Sequence, residues 1–178
     1  RGDPVNAQFE ANEHAIIVRT ARTPDVSAIR SLISSYTDDG RLMAKAQVTL
    51  FESVQEFVVA ESGGRIVGCG ALHVMWEDLA EVRSLAVEPT LMGQGVGSAM
   101  LTTLIERARN IGVRRVFCLT FETKFFGGHD FEVIDSAPVT HEVFEQLLQS
   151  YDQGVAEFLD LERVKPNTLG NFRMLRRL

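Results

Sequence analysis

Apolar positions along this chain follow two rhythms, one of period two and one close to 3.6. Residues 15–20 (AIIVRT) read as a short strand. Thr23-Pro24-Asp25 then offers a cap, a proline suited to the first helical position, and an acid for the first turn. Val26, Ile29, Leu32, Ile33 and Tyr36 recur behind it at helical spacing, and Asp39-Gly40 breaks the run. A shorter helix is predicted over 47–53. Residues 57–60 and 65–75 read as strands joined through Ser62-Gly63-Gly64 in a hairpin. A further strand covers 79–87 and stops at Glu88-Pro89. After Gly93-Gln94-Gly95-Val96-Gly97 comes a helix striped by Met100, Leu101, Leu104, Ile105, Ala108 and Ile111. Thr103, Glu106, Arg107 and Asn110 lie opposite, and Gly112 is its stop. The remainder reads as a strand at 113–120, a helical turn at 124–127 and a short strand at 131–134. An amphipathic helix carrying Val143, Phe144, Leu147, Leu148 and Tyr151 follows, then a last strand at 156–161.

The order β-α-α-β-β-β-α-β-α-β-α-β joins a hairpin-rich first half to a βαβ-like second half. It predicts an α/β fold, with one mixed sheet covered by helices. A length of 178 residues, 45% of them hydrophobic, suits one domain with a real core. Residues 1–14 are polar and begin without Met, so they read as a disordered leader or cloning remnant, leaving 15–178 as the domain. The RGD triplet at their start has no secretory setting. No apolar run is long enough to cross a bilayer, and no signal-peptide pattern opens the chain. The expectation is a cytoplasmic protein with no membrane partner.

Charge narrows the classes further. A formal net charge of -6 argues against general nucleic-acid binding, which needs a basic surface. Any anionic ligand must be met by local Arg, Lys or backbone N–H groups. Cys69 and Cys118 fall inside apolar strands and read as buried thiols in a reducing compartment. There is no CxxC pair, and His14, His73, His129 and His141 are scattered, so no metal is expected.

The stretch LAVEPTLMGQGVGSAML, residues 85–101, carries the most chemistry. A strand stops at a proline, a glycine-rich loop follows, and a helix begins. Glycines let a backbone approach a ligand closely, and successive N–H groups at a helix N-terminus suit phosphate oxygens. The absence of GKS or GKT excludes a P-loop. A dinucleotide fold would set its glycine turn after the first strand, whereas this one follows the fourth.

This pattern resembles the GNAT acetyltransferases, whose signature Q/R-x-x-G-x-G/A follows a strand ending in V-x-P. Met92 takes the Q/R place, Gly95 the first glycine and Gly97 the last. The resemblance runs through nearly the whole chain. It narrows to N-acetylglutamate synthases of a short, stand-alone bacterial form in the stretches AEVRSLAVEP, VFCLTFETKFF and SYDQGVAEFLDLERVKPNTLGN. It implies a single-domain fold with a mixed, mostly antiparallel sheet flanked by helices. It also implies acetyl-CoA as co-substrate, with its pyrophosphate on the N–H groups of Gly93, Gln94, Gly95, Val96, Gly97 and Ser98. Leu85, Ala86, Val87 and Phe126 would contribute further cofactor contacts. The implied reaction is acetyl transfer to L-glutamate, the first step towards arginine.

An amino acid's amine is mostly protonated at neutral pH, so the reaction needs a base, an oxyanion donor and good positioning. Alternation sets Glu81, Arg83, Leu85 and Val87 on one face of their strand. Glu81 is the candidate base and matches the family's acidic position there. The Leu85 N–H is the implied thioester-polarising donor. For the substrate's carboxylates the resemblance implies Arg19, Lys45, Arg83, Lys165 and Asn167. The family's leaving-group Tyr falls on Phe126, which has no proton to give, and Asp130 stands where Gly is usual. His129 and Tyr151 are alternatives with no motif behind them. Two rival functions stay open: acetylation of another amine such as glutamine or an antibiotic, and an acyl-CoA-binding sensor without turnover. A homodimer is also left open.

Overall fold

The computed structural model describes residues 15–37, 46–159 and 171–178. Lys45, Lys165, Asn167 and the 1–14 leader lie outside the described residues. Seven strands form one mixed sheet in the order β1-β2-β3-β4-β5-β7-β6, flanked by helices. The chain divides into two compact units, Arg1–Leu72 with Val82–Arg107, and His73–Glu81 with Ala108–Leu178.

In the first unit, β1 (Ile16–Thr20) runs antiparallel to β2 (Phe57–Ser62), with Thr20 opposite Val58. β2 runs antiparallel to β3 (Arg65–Trp76), with Phe57 opposite Ala71 and a bulge at Ala60/Glu61. β4 (Leu79–Val87) follows β3 after a two-residue turn, a connection only antiparallel neighbours can use. Helix α1 (Val26–Thr37) buries the predicted stripe Val26, Ile29, Leu32, Ile33 and Tyr36 against Phe57, Val59, Cys69, Ala71 and Ala86. Leu50 of α2 (Gln47–Glu52) joins that core. The long helix α3 (Val96–Asn110) begins here, with Met100, Leu101 and Leu104 fully buried. Two glycines on β3 make its approach possible. A Cβ on Gly68 would stand 2.7 Å from Met100 Cε, and one on Gly70 2.8 Å from Leu85 Cδ1 and 3.2 Å from Leu104 Cδ1. A side chain at either would force Met100, or Leu85 and Leu104, to move aside.

In the second unit, the start of β4 pairs in parallel with β5 (Arg115–Thr120), Leu79 opposite Arg115 and Glu81 opposite Phe117. β5 runs antiparallel to β7 (Phe172–Arg177), and β6 (Glu132–Ile134) antiparallel to β7. Asp78 fixes the entry to β5: its carbonyl accepts from the Arg114 and Arg115 N–H groups, and its carboxylate holds the Arg115 guanidinium at 2.9 Å. Met75, Leu79, Phe117, Leu147, Val155, Phe158, Leu159 and Leu175 form the core. Phe117 and Phe158 meet edge to face at 4.9 Å.

Three expectations are corrected. The helix read through Tyr151 ends earlier: α5 (His141–Leu147) stops, and a separate α6 (Gln153–Phe158) begins. Asp152 starts α6, its carboxylate accepting from the Val155 N–H at 3.0 Å. Tyr151 lies between them, fully exposed. The stretch 156–161 is therefore no strand over its described part; the last strand is Phe172–Arg177. Ile111, placed on the α3 stripe, lies beyond the helix end and is exposed.

Candidate functional site

β4 leaves the first unit's core at Val87, Pro89–Leu91 makes one 3-10 turn, and the loop enters α3 at Val96. Gly93 and Gly95 have φ of 79° and 84°. A Cβ at either would meet nothing within 4 Å, so glycine is there for conformation rather than space. Left-handed residues between right-handed ones are the backbone pattern that can turn successive N–H groups toward one side. The Ala99 N–H bonds back to the Gly95 carbonyl at 3.0 Å. The amides of Val96 and Gly97 belong to the first turn, where a helix offers them no internal acceptor. An anion placed there meets donors and the positive end of a 15-residue helix. The Gln94 N–H already turns back to the Leu91 carbonyl at 3.4 Å.

Upstream, β4 leaves extended backbone geometry at one residue. Ser84 sits at φ 55° in mid-strand, a conformation that costs an L-residue about 1–2 kcal/mol. Sequence patterning gave no sign of it. The kink is held from β3: the buried Cys69 thiol donates to the Ser84 carbonyl at 3.4 Å, and the Ala86 N–H faces the same sulfur. Burial pushes the Cys69 thiol up to about 12, outweighing the opposing Ala86 N–H. Leu85, the implied oxyanion donor, is the residue immediately after the kink, and its side chain fills the space Gly70 leaves.

Glu81 is buried, 7% exposed, on the β4 segment that pairs with β5. A carboxyl group in that position needs a reason beyond solvation. Its field reaches Cys118, whose thiol is held well above its ordinary range, by burial first and by Glu81 second. Both cysteines are therefore neutral, inert thiols, as read from the sequence. Arg83 is half-buried on the same strand.

Other expected site residues are placed differently. The Arg19 guanidinium is committed internally: it donates to both Asp25 oxygens at 2.8 and 3.0 Å and to Glu61 at 2.8 Å. These contacts hold Arg19 protonated and keep the Asp25 carboxyl below its usual range. Arg19 thus ties β1 to the start of α1 and to β2. Phe126, on α4 (Thr123–Gly127), is buried, its ring edge-on to Phe125 and Phe131. The reason is local. The Phe131 N–H bonds to the Phe126 carbonyl and the Asp130 N–H to the Gly127 carbonyl, with Asp130 left-handed at φ 66°. That is a Schellman ending, and the Phe126–Phe131 contact is its apolar clasp. Asp130 takes the conformation Gly usually supplies, with Arg176 bonded to the His129 carbonyl at 3.0 Å and 3.8 Å from its carboxylate. The His129 ring meets that of Phe125 at 5.1 Å, tilted by 55°.

Tyr36 was read only as part of an apolar stripe. Its hydroxyl donates a hydrogen bond to the Val87 carbonyl, and the hydroxyl oxygen lies 3.7 Å from Met92 Sδ. A hydroxyl on an otherwise apolar stripe was the available signal. Among the described residues no cluster of ligating side chains could hold a metal ion, and no helix is long and apolar enough to cross a membrane.

Known proteins give this geometry its context. An amino-acid acetyltransferase of Mycobacterium tuberculosis (strain ATCC 25618 / H37Rv) is 55% identical over 163 residues, 89% of this chain and 92% of that protein. The crystal structure of Rv2747 from Mycobacterium tuberculosis in complex with CoA and NLQ superposes with a TM-score of 0.88 at 54% identity, covering 91% of this chain and 99% of that one. N-acetylglutamate synthase from Neisseria gonorrhoeae, complexed with coenzyme A and N-acetyl-glutamate, gives 0.73 at 26% identity, over 93% of this chain and 36% of that one. Residues 26–126, from the first turn of α1 to Phe126, match the model of the acetyltransferase (GNAT) family, and the chain belongs to that family.

Proposed function

We propose that this protein transfers the acetyl group of acetyl-CoA to the α-amine of L-glutamate, giving N-acetylglutamate, the entry to arginine synthesis. The observation that carries the reading is similarity along nearly the whole chain to an amino-acid acetyltransferase. The N-acetyl-glutamate bound by the gonococcal synthase points to glutamate.

The loop 93–98 would take the pyrophosphate of the donor on its backbone amides. The Leu85 N–H, presented after the Ser84 kink, would polarise the thioester carbonyl. Glu81 would remove a proton from the substrate ammonium, directly or through water, so that the nitrogen lone pair attacks the carbonyl carbon. A C–N bond forms, the nitrogen gives up its second proton to water, and the C–S bond breaks with CoA leaving as thiolate. Phe126 cannot protonate it. Arg83 would face a substrate carboxylate, with Lys45, Lys165 and Asn167 proposed as its helpers from outside the described residues. Arg19 has no part in this scheme, because its guanidinium is held by Asp25 and Glu61.

A CoA-release assay across an amino-acid panel tests the reading. Glutamate should give the highest kcat/KM; a clear preference for glutamine or another amine would sink the narrow claim. Acetyl-CoA binding with no CoA release would favour a sensor. Glu81→Gln should cut kcat by about 10²–10⁴ at neutral pH while leaving acetyl-CoA affinity nearly unchanged. Equal turnover in the two proteins would remove Glu81 as base.

A further inference from the structure

We infer that Tyr36 is a positioning residue for the phosphate loop, acting through the Val87 carbonyl rather than by touching the ligand. The inference rests on the proposed reading of residues 93–98 as the pyrophosphate site.

The loop has two left-handed glycines, and glycine is the residue with most conformational freedom to lose. Its first half therefore needs outside restraint if its amides are to converge on an anion. The family signature puts a Gln or Arg at the start, but Met92 stands there, half-exposed and without a proton to donate. Restraint comes instead from the residues just before the loop. The Glu88 N–H bonds to the Val67 carbonyl of β3 at 2.8 Å. The Glu88 carboxylate is held by Arg65 at 2.6 Å and accepts from the Thr90 hydroxyl at 3.2 Å. These contacts fix one side of the chain at residue 88. Tyr36 fixes the other: its ring is anchored in the α1 core, and its hydroxyl proton goes to the Val87 carbonyl. The Tyr36 hydroxyl oxygen also lies 3.7 Å from Met92 Sδ, so the same group contacts the residue at the signature position. The peptide between Val87 and Glu88 is thus clamped from both sides, and the loop leaves it at a set angle.

Tyr36→Phe keeps the ring and deletes the hydroxyl, with its bond to the Val87 carbonyl and its contact with Met92. Binding of CoA and of pantetheine, which lacks the pyrophosphate, is measured by calorimetry on wild type and variant. Turnover is compared with acetyl-CoA and with S-acetylpantetheine. The expected result is a CoA Kd about fivefold to tenfold weaker, the scale of one hydrogen bond. Pantetheine affinity should be unchanged, and kcat at saturating acetyl-CoA should stay within about twofold. An unchanged CoA Kd overturns the inference. So does a parallel loss for both ligands, which would mark Tyr36 as general packing. Wild-type protein that binds CoA no better than pantetheine overturns the loop reading itself, and this inference with it.

Discussion

Replacing Arg19 by alanine separates a structural arginine from a substrate-binding one. The guanidinium makes two bonds to Asp25 and one to Glu61, all 3.0 Å or shorter. Exposed ion pairs are worth about 0–1 kcal/mol, whereas removing one partner of a buried pair costs about 3–5 kcal/mol. Here Asp25 is buried, while the Arg19 and Glu61 side chains are 32% and 28% exposed. Glu61 can rehydrate; Asp25 keeps only the Arg22 N–H at 2.7 Å. The cost should fall between the two limits, at about 2 kcal/mol, or a melting point lower by roughly 4–8 °C for a chain of this size. Urea titrations of wild type and variant measure it. Acid provides a second readout. Hydrogen bonds from Arg19 first, and the Arg22 N–H after it, hold the Asp25 carboxyl below its ordinary 3.8 against the opposing effect of burial. A depressed carboxylate stabilises fully above its unfolded value and loses that contribution as pH falls through the native one. The gap between the proteins should therefore be full near neutral pH and close below about pH 4. A neutral-pH gap under about 0.5 kcal/mol would refute this ledger. A gap that ignores acid would refute it as well. A raised KM for the amino acid at unchanged stability would return Arg19 to the substrate.

Gly95→Ala forces a side chain to φ 84° where space is open, so its cost is conformational, about 1 kcal/mol; melting should drop by a few degrees and the KM for acetyl-CoA should rise several-fold. A variant indistinguishable from wild type in both would mean the turn tolerates a Cβ. At Asp130, Gly should be neutral or mildly stabilising, while Val, branched at a left-handed position, should cost about 2 kcal/mol by thermal melting; equal stabilities would dismiss the helix ending described. Cys69 and Cys118 should both resist an aromatic disulfide reagent in the native protein and react together on denaturation, because burial keeps both thiols protonated; fast native labelling of either would contradict that.

Helices α1 and α3 are legible because each buries one stripe at helical spacing, and β2 and β3 because they are apolar runs interrupted by Ser62-Gly63-Gly64. The failures have physical causes too. The segment FRMLRR buries only Met174 and Leu175, too little for alternation to register. Its arginines are no sign of a loop: Arg173 donates to the Glu157 and Phe158 carbonyls at the end of α6, and Arg176 to that of His129. The run GVAEFLDL fits a strand or a buried helix equally, and the cue missed was Asp152 as N-cap. The glycine-rich loop and the helix behind it could be read because glycines and a helix start are local. Arg19 could not, since one of its partners lies 42 residues away. Nor could Ser84, whose strain is imposed by β3.

The kink at Ser84 also acts as a register lock. A regular strand can slide past its neighbour by two residues and keep its faces; this one cannot. Any slip would carry the left-handed turn away from the Cys69 thiol and the notch at Gly70, and press an ordinary residue into both. The strand has one frame in which it closes on β3, and the Val67–Glu88 bond at its far end belongs to that frame alone.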